Sequence, residues 1–234
     1  MLAPKGSSGA DPAPPLRGCF VTATDTGVGK TVLAAALVAA LRARGEPVHA
    51  RKPVVTGLDD GPPLDHELLA AVSGEQPQAV SPARYGPAVS PHLAAQLAGH
   101  ELDVAALIAD VRAAGEPVVV EGIGGLLVPL AEGWDVRRLA CELGFGVVIA
   151  ARPGLGTINH TLLTLEVARA AQLDVRAVVL TPWPAQAGAI ERSNRATIEA
   201  LGEVEVATLA QLSDLIPPAL AAAGAALPYE RWLT

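Results

Sequence analysis

The stretch CFVTATDTGVGKTVLAAAL, residues 19–37, constrains the fold more than any other part of the chain. A short apolar run leads into a turn that contains Gly27 and Gly29, and a helical pattern opens at Lys30. A glycine-containing turn between a strand and a helix lets backbone N–H groups and the helix N-terminus hold phosphate oxygens, while the lysine neutralises phosphate charge. The sequence therefore predicts a P-loop in an α/β domain.

The rest of the chain alternates between short apolar runs and helical patterns. Strands are predicted at residues 19–22, 48–50, 118–121, 146–150, 175–180 and 204–207, and helices at 31–44, 103–114, 158–171 and 189–201. Strands that are apolar throughout and alternate with helices indicate a mostly parallel sheet with helices on both faces. We predict one P-loop NTPase domain over residues 18–234, after a disordered leader at residues 1–17 that is rich in Pro, Gly and Ser.

Charge and composition exclude several kinds of partner. The formal net charge of −7 gives no general attraction to nucleic acid or anionic lipid. No apolar run is long enough to span a bilayer. Cys19 and Cys141 match no metal or redox spacing, which favours a reducing compartment. We predict a cytoplasmic protein that binds neither nucleic acid nor membrane.

A P-loop also needs a carboxylate near the bound magnesium. In EPVVVEGIGG three valines precede Glu121, which would bring it to the carboxyl edge of the sheet, where ligands of open α/β sheets bind. The Thr31 hydroxyl would ligate the same ion. The alternative is that Glu121 caps a turn or pairs with a lysine.

A second lysine is predicted at the same edge. Lys52 follows a predicted strand in VHARKPVVTG, and a lysine near Lys30 is electrostatically unfavourable unless an anion lies between the two. The alternative is a solvated lysine at a strand end. Asp65, in PPLDHELLAAV, is either an N-cap of the following helix or a second magnesium ligand.

Four motifs occur together in a fixed order: TDTGVGKT, KPVVTG, VEGIGGLLVPL and GLGTINHTLLTLE. In this order and spacing they resemble the dethiobiotin synthetases, and the resemblance runs from about residue 19 to residue 195. SPHLAA, residues 90–95, resembles the segment between the second lysine and the acidic strand of that family. Ala23 departs from the family, which has glycine at that position.

The resemblance implies a ligase that forms dethiobiotin. In this family 7,8-diaminononanoate and carbon dioxide, supplied as bicarbonate, give a carbamate. The γ-phosphoryl group of ATP or another NTP then activates it, and the ureido ring closes with release of phosphate. Because carbamate and triphosphate are both anions, two lysines and Mg2+ suit this chemistry better than they suit simple hydrolysis.

The resemblance also assigns roles to individual residues. It implies that Lys30 and Lys52 are catalytic and that Thr31, Asp65 and Glu121 ligate Mg2+. The implied nucleotide-binding residues are Gly27, Val28, Gly29, Lys30, Thr31, Val32, Asp65, Glu121, Gly122, Ile123, Gly124, Thr181, Pro182, Ala207, Thr208 and Leu209. The implied substrate-binding residues are Thr24, Lys52, Thr56, Leu155, Gly156 and Asn159. In the family the loop at residues 154–160 receives the diamino acid's carboxylate across a homodimer interface.

The positions that read adenine in the family are changed in this chain. Thr181 and Pro182 stand in place of an Asn-Asp pair, and threonine lacks the donor and acceptor of an amide while proline has no N–H. Residues 207–209 replace a Pro-Trp-Leu-like turn. Trp183 is either a stacking surface for a base or a packed loop anchor. We therefore expect relaxed selectivity for the base.

Two other functions share parts of this pattern. One is a related amidoligase of the cobyrinate diamide type, although such enzymes usually carry a glutaminase domain for which this chain is too short. The other is a switch ATPase of the partition or septum-site type. Those switches carry a lysine near the start of the P-loop, where this chain has Ala23, Thr24, Asp25 and Thr26.

Overall fold

A computed structural model of the chain describes residues 17–61 and 65–233. Its strands are β1 (Gly18–Ala23), β2 (His49–Arg51), β3 (Val54–Val55), β4 (Ala83–Arg84), β5 (Val118–Glu121), β6 (Pro129–Ala131), β7 (Trp134–Asp135), β8 (Gly146–Ala151), β9 (Val175–Trp183) and β10 (Val206–Ala210). Its α-helices are α1 (Lys30–Ala43), α2 (Asp65–Ser73), α3 (Pro77–Val80), α4 (Pro91–Leu97), α5 (Val104–Ala113), α6 (Val136–Leu143), α7 (Thr157–Ala170), α8 (Ala189–Gly202) and α9 (Pro217–Ala225). Short 3-10 turns lie at Leu58–Asp60 and Tyr229–Trp232.

The central sheet has six strands in the order β10-β9-β8-β1-β5-β2. Every neighbouring pair is parallel, which confirms the predicted sheet. Strands β1, β5 and β2 lie side by side, with Val21 of β1 opposite Glu121 of β5 and Arg51 of β2 opposite Val120 of β5. The carboxyl ends of these three strands, where ligands bind in open α/β sheets, therefore meet at one edge of the sheet.

Both faces of the sheet are buried. In β1 the side chains of Cys19 and Val21 enter one apolar cluster with α1, α2 and α9, while Phe20 enters a second cluster with α5 and α6. Because successive side chains of a strand point to opposite faces, strands covered on both sides must be apolar throughout. This is why VVV in β5 and GVVIAA in β8 contain no polar residue.

Helix α1 is buried on nearly all sides. Its Ala-rich sequence, KTVLAAALVAALRA, packs against the sheet, α2 and α9. A Cβ on Gly224 of α9 would collide with the carbonyl oxygen of Ala36, so the two helix backbones approach closely there. The helix that opens the P-loop is therefore held by packing on several sides.

The six predicted strands and four predicted helices are all found, with their ends shifted by three residues or fewer. The sequence analysis indicated a helix after Asp65, which is α2, without giving its bounds. It did not predict α3, α4, α6 and α9, which are short, or the two-stranded pairs β3–β4 and β6–β7. The predicted leader lies outside the described residues apart from Arg17. Within the described part of the chain, no helix is long and apolar enough to cross a membrane.

Candidate active site

The P-loop joins β1 to α1 in the predicted place. Gly29 precedes α1 with φ of 102°, a left-handed conformation that favours glycine. A Cβ on Gly29 would also lie 3.0 Å from Thr181 Cγ2, so the side chain of Thr181 in β9 crowds any larger residue there. No side chain caps the helix, and its first N–H groups are available to an anion.

Two cations contact the backbone of the loop. Lys30 Nζ donates to the carbonyl oxygen of Asp25 at 3.1 Å, and Arg152, which follows β8, donates to that of Thr26 at 3.1 Å. Burial lowers the pKa of Lys30, and the charge of Glu121 only partly offsets this. Binding an anionic phosphate would favour the charged form of Lys30.

Lys52 is the centre of a buried polar cluster. Its ammonium lies 2.7 Å from Glu121 Oε1 and 2.9 Å from Asp65 Oδ2, and its side chain is 2% exposed. The Thr31 hydroxyl donates to the same Glu121 oxygen at 2.8 Å. The predicted edge thus brings Thr31, Lys52, Asp65 and Glu121 together, and Lys52 is not a solvated lysine.

The charges of Lys52 and Asp65 support each other, whereas burial raises the pKa of Glu121 in spite of the neighbouring Lys52. Burial acts to lower the pKa of Lys52, but the carboxylates of Glu121 and Asp65 outweigh it and hold this pKa above its ordinary value. Burial acts to raise the pKa of Asp65, but Lys52 holds it below its ordinary value. At neutral pH Lys52 is therefore a cation and Asp65 an anion.

The donor set beside Lys52 fits a hard divalent cation. Thr31, Asp65 and Glu121 supply one hydroxyl and two carboxylates, and oxygen ligands of this kind suit Mg2+. Glu121 Oε2 is buried and has no hydrogen-bond partner within the described residues, so it can accept a further ligand. No group of three or more His, Cys, Asp or Glu side chains is arranged for a metal in residues 17–61 and 65–233.

A cleft of about 770 Å³ connects these groups. The predicted site residues that line it are Gly27, Gly29, Lys30, Thr31, Val32, Lys52, Thr56, Asp65, Glu121, Ile123 and Gly124. Its apolar lining includes Val55, Val89 and Leu215. A cleft with cations at one wall and aliphatic surface at another can hold anionic groups next to an alkyl chain.

Known proteins match most of the chain. A family described as an AAA domain matches residues 17–219. The ATP-dependent dethiobiotin synthetase BioD of Mycobacterium avium is 42% identical over 217 residues, which cover 90% of each chain. The same enzyme of Haloferax mediterranei is 40% identical and covers 92% of this chain and 93% of its own. This chain belongs to the dethiobiotin synthetase family.

Proteins outside the dethiobiotin synthetase family share the fold. The MinC:MinD cell division complex of Aquifex aeolicus matches with a TM-score of 0.58, covering 90% of this chain and 95% of its own. Its sequence identity of 13% shows a common fold and nothing further. The switch-ATPase alternative therefore gains no support from this likeness, whereas the dethiobiotin synthetases match in sequence.

Several residues that the dethiobiotin synthetase pattern assigned to the nucleotide lie outside the cleft lining. Thr181 is buried beside Gly29, and Pro182 follows it in β9. In β10 the side chains of Ala207 and Leu209 belong to the apolar core, while Thr208 is half-buried. Other predicted residues outside the lining are Thr24, Val28 and Gly122. Their assignment to the nucleotide or the substrate stays a prediction.

The substrate loop predicted from the dethiobiotin synthetases lies after β8, at the same edge of the sheet. Gly156 precedes α7 with φ of 91°, Leu155 is 96% exposed, and Asn159 is exposed. Asn194 of α8 donates to the carbonyl oxygens of Pro153 and Gly154 at 2.9 and 3.0 Å. The sequence analysis missed this buried asparagine, whose two hydrogen bonds hold the start of the loop in place.

The sequence analysis missed two further features. Leu215 lines the cleft from the segment after β10, where the sequence has no motif. The chain has only three lysines among its 17 lysines and arginines, and two of them, Lys30 and Lys52, lie in the cleft. A composition that favours arginine so strongly makes each retained lysine a candidate for a function that arginine cannot perform.

Proposed function

We propose that this protein closes the ureido ring of dethiobiotin from 7,8-diaminononanoate, carbon dioxide and ATP or another NTP. The observation that carries the proposal is Lys52, held at 2.7 Å from Glu121 in the cleft that also contains the P-loop Lys30. Together with the family membership, this second cation beside a phosphate site supports a reaction between two anions. The proposal includes a single domain over residues 18–234 and a cytoplasmic location.

The reaction has three steps. One amine of the diamino acid adds to carbon dioxide and gives a carbamate. A carbamate oxygen attacks the γ-phosphorus, the bond to the ADP oxygen breaks, and a carbamic-phosphoric anhydride forms. The second amine attacks the carbamate carbon, phosphate leaves, and the ring closes. ADP, phosphate and dethiobiotin are the products.

The proposed work of the residues is positioning and charge stabilisation. The P-loop amides and Lys30 hold the triphosphate, and the ammonium of Lys52 faces the carbamate and γ-phosphate as charge develops. Thr56 contacts the substrate. Mg2+, held by Thr31, Asp65 and Glu121, would neutralise phosphate charge when bound.

The substrate carboxylate is proposed to bind at the N-terminus of α7 in a second copy of the chain. Leu155, Gly156 and Asn159 are exposed in the single protomer. Residues that contact a second copy must be exposed in this way. The positive end of a helix dipole and its free N–H groups suit a carboxylate. The proposed enzyme is thus a homodimer whose substrate site includes residues of both copies.

Replacing Asn159 with alanine tests the shared site. We expect the KM for the diamine to rise about tenfold, since a hydrogen bond to a charged group is worth about 1.5–3 kcal/mol. The KM for ATP should stay within about twofold, because Asn159 is proposed to contact the diamine and not the nucleotide. Glu166→Ala, an exposed residue two turns further along α7 and outside the loop, is the control and should behave as the wild type. Light scattering that shows a fully active monomer contradicts the shared site.

Base selectivity is expected to be weak. Ala207 and Leu209 pack in the core, and Leu215 offers an apolar surface to the cleft, which discriminates poorly between bases. Each lost hydrogen bond to the base is worth about 0.5–1.5 kcal/mol, so kcat/KM for ATP, GTP and CTP should agree within about tenfold. Dethiobiotin formation with each nucleotide measures this. A preference for ATP of about a hundredfold or more would contradict it.

Mass spectrometry of the products tests the proposed function directly. Incubation with 7,8-diaminononanoate, bicarbonate, Mg2+ and ATP should yield dethiobiotin and one phosphate per ring. A synthetase releases phosphate only when both diamine and bicarbonate are present, whereas a switch ATPase releases it without them. Phosphate release that is independent of diamine, with no dethiobiotin, would refute the proposal.

A further inference from the structure

β2, which delivers Lys52 to the cleft, is the edge strand of the sheet. An edge strand has one row of backbone groups without a strand partner. Here the Ala50 N–H donates to Glu75 Oε2 at 2.8 Å, and the Lys52 N–H donates to the carbonyl oxygen of Val80 at 2.8 Å. The segment after α2 therefore takes the place of a seventh strand.

Arg51 joins this segment to the opposite face of the sheet. Its Nη1 donates to Glu75 Oε1 at 2.8 Å, and its Nε lies 3.3 Å from Asp110 Oδ2 of α5. Helix α2 packs in the apolar cluster of one face and α5 in that of the other. Arg51 is nearly buried, so solvent screens these ion pairs only weakly.

Glu75 is the point where these contacts meet. Its carboxylate accepts from the Ala50 N–H and Arg51, and its Oε1 lies 3.2 Å from His49 Nδ1. Burial acts to raise the pKa of Glu75, but the hydrogen bonds from Ala50 and Arg51 hold it below its ordinary value. Glu75 is therefore an anion that is bonded to consecutive residues of β2.

The same helix links Glu75 to the catalytic cluster. Asp65 is the first residue of α2, and Glu75 follows its last residue, Ser73, by two positions. Lys52 follows Arg51 directly, so two adjacent residues at the end of β2 hold both ends of α2: Lys52 pairs with Asp65 at its first residue, and Arg51 pairs with Glu75 just after its last. Helix α2 has nine residues and moves as a rigid unit, so a displacement of its C-terminus also displaces Asp65 at its N-terminus.

We propose that Glu75 is a positioning residue, which fixes α2 on β2 and thereby holds Asp65 and the Lys52 ammonium in place for the reaction. The proposal rests on the proposed function, because it assigns Lys52 its catalytic role. Glu75 lies outside the lining of the cleft and touches no reacting group. It acts through β2 and α2.

The test is the variant Glu75→Gln, alone and combined with Lys52→Ala. In the wild-type background kcat should fall about tenfold, since misplacing a catalytic group by about 1 Å can cost as much as a hundredfold. The KM for ATP should change less than about twofold. In the Lys52→Ala background the same substitution should lower kcat clearly less than in the wild type, because one of the two groups it positions, the ammonium, is absent and only Asp65 remains.

A second readout is independent of turnover. Lys52 is nearly buried, so acetic anhydride should acetylate it slowly, and Glu75→Gln should make it react several times faster relative to Lys30 in the same molecule. Mass spectrometry of the peptides measures both lysines. If the wild type forms no dethiobiotin, the proposed function fails, and this readout alone decides whether Glu75 holds Lys52.

Glu205→Gln is the matched control. Glu205 pairs with Arg231 at 3.0 Å, is far from the cleft in the fold, and should leave kcat and the acetylation of Lys52 unchanged. An equal loss of kcat in both backgrounds, with unchanged acetylation, would mean that Glu75 only stabilises the fold. Wild-type kcat in Glu75→Gln would overturn the proposal as well.

Discussion

Lys52→Ala is expected to lower kcat by about 10²–10³, the effect of losing one preorganised group that stabilises developing charge. The ammonium is held by Glu121 and Asp65 at 2.7 and 2.9 Å and needs no rearrangement of solvent to act. Nucleotide affinity should be largely retained, because Lys30 and the P-loop amides remain. Steady-state kinetics with all three substrates at saturation, and calorimetry for ATP, measure the two quantities.

Lys52→Met serves as the companion variant, since it keeps the aliphatic stem and packing while removing the charge. Both variants should show the same loss of kcat if the charge is responsible. Circular dichroism and thermal melting establish that each variant is folded before kinetics are compared. Turnover close to that of the wild type in a folded variant would remove Lys52 from the reaction.

Glu121→Gln should have a large effect on stability as well as on turnover. Glu121 is fully buried, and its charge compensates the buried ammonium of Lys52. Removing one partner of a buried ion pair costs about 3–5 kcal/mol, and the amide oxygen of glutamine keeps the expected loss at about 3 kcal/mol. Urea denaturation measures the free energy of unfolding. Dethiobiotin formation should fall at least about a hundredfold with it, since a proposed magnesium ligand is also lost.

The double variant Lys52→Met and Glu121→Gln separates charge from packing. A buried pair replaced on both sides is often neutral in stability, so the double variant should regain most of the lost free energy of unfolding. It should not regain turnover. If Glu121→Gln is as stable as the wild type, the buried charge of Lys52 is compensated by another group.

The meeting of Glu121 and Lys52 was predictable because each stands at the carboxyl end of one of two neighbouring parallel strands. Glu121 ends an apolar run and Lys52 follows a short strand. Neighbouring parallel strands bring such residues together whatever the length of the connection between them. Gly27 and Gly29 indicate the turn between β1 and α1 directly from the sequence. These are local signals, each contained within a few residues. The structure places Thr31, Lys52, Asp65 and Glu121 in one cluster, and their roles stay a prediction.

The rest of the site depends on contacts between distant segments. Arg51 reaches Glu75 and Asp110 in different helices, and no spacing in the sequence relates them. Leu215 reaches the cleft from a segment without a motif. The sequence indicated a helix after Asp65 but not its extent, because nine residues with mixed polarity carry little periodicity. Apolar packing and ion pairs at both ends hold α2 in place.

The close packing of α1 on α9 bears on how the chain is made. The apolar surface around α1 is completed by Leu220 of α9 and by Leu227, Tyr229 and Trp232, which are synthesised long after the P-loop. At about 5–20 residues per second the interval is on the order of ten seconds. During that time the P-loop helix lacks part of its support, so bound nucleotide cannot stabilise the nascent chain as it stabilises the finished protein.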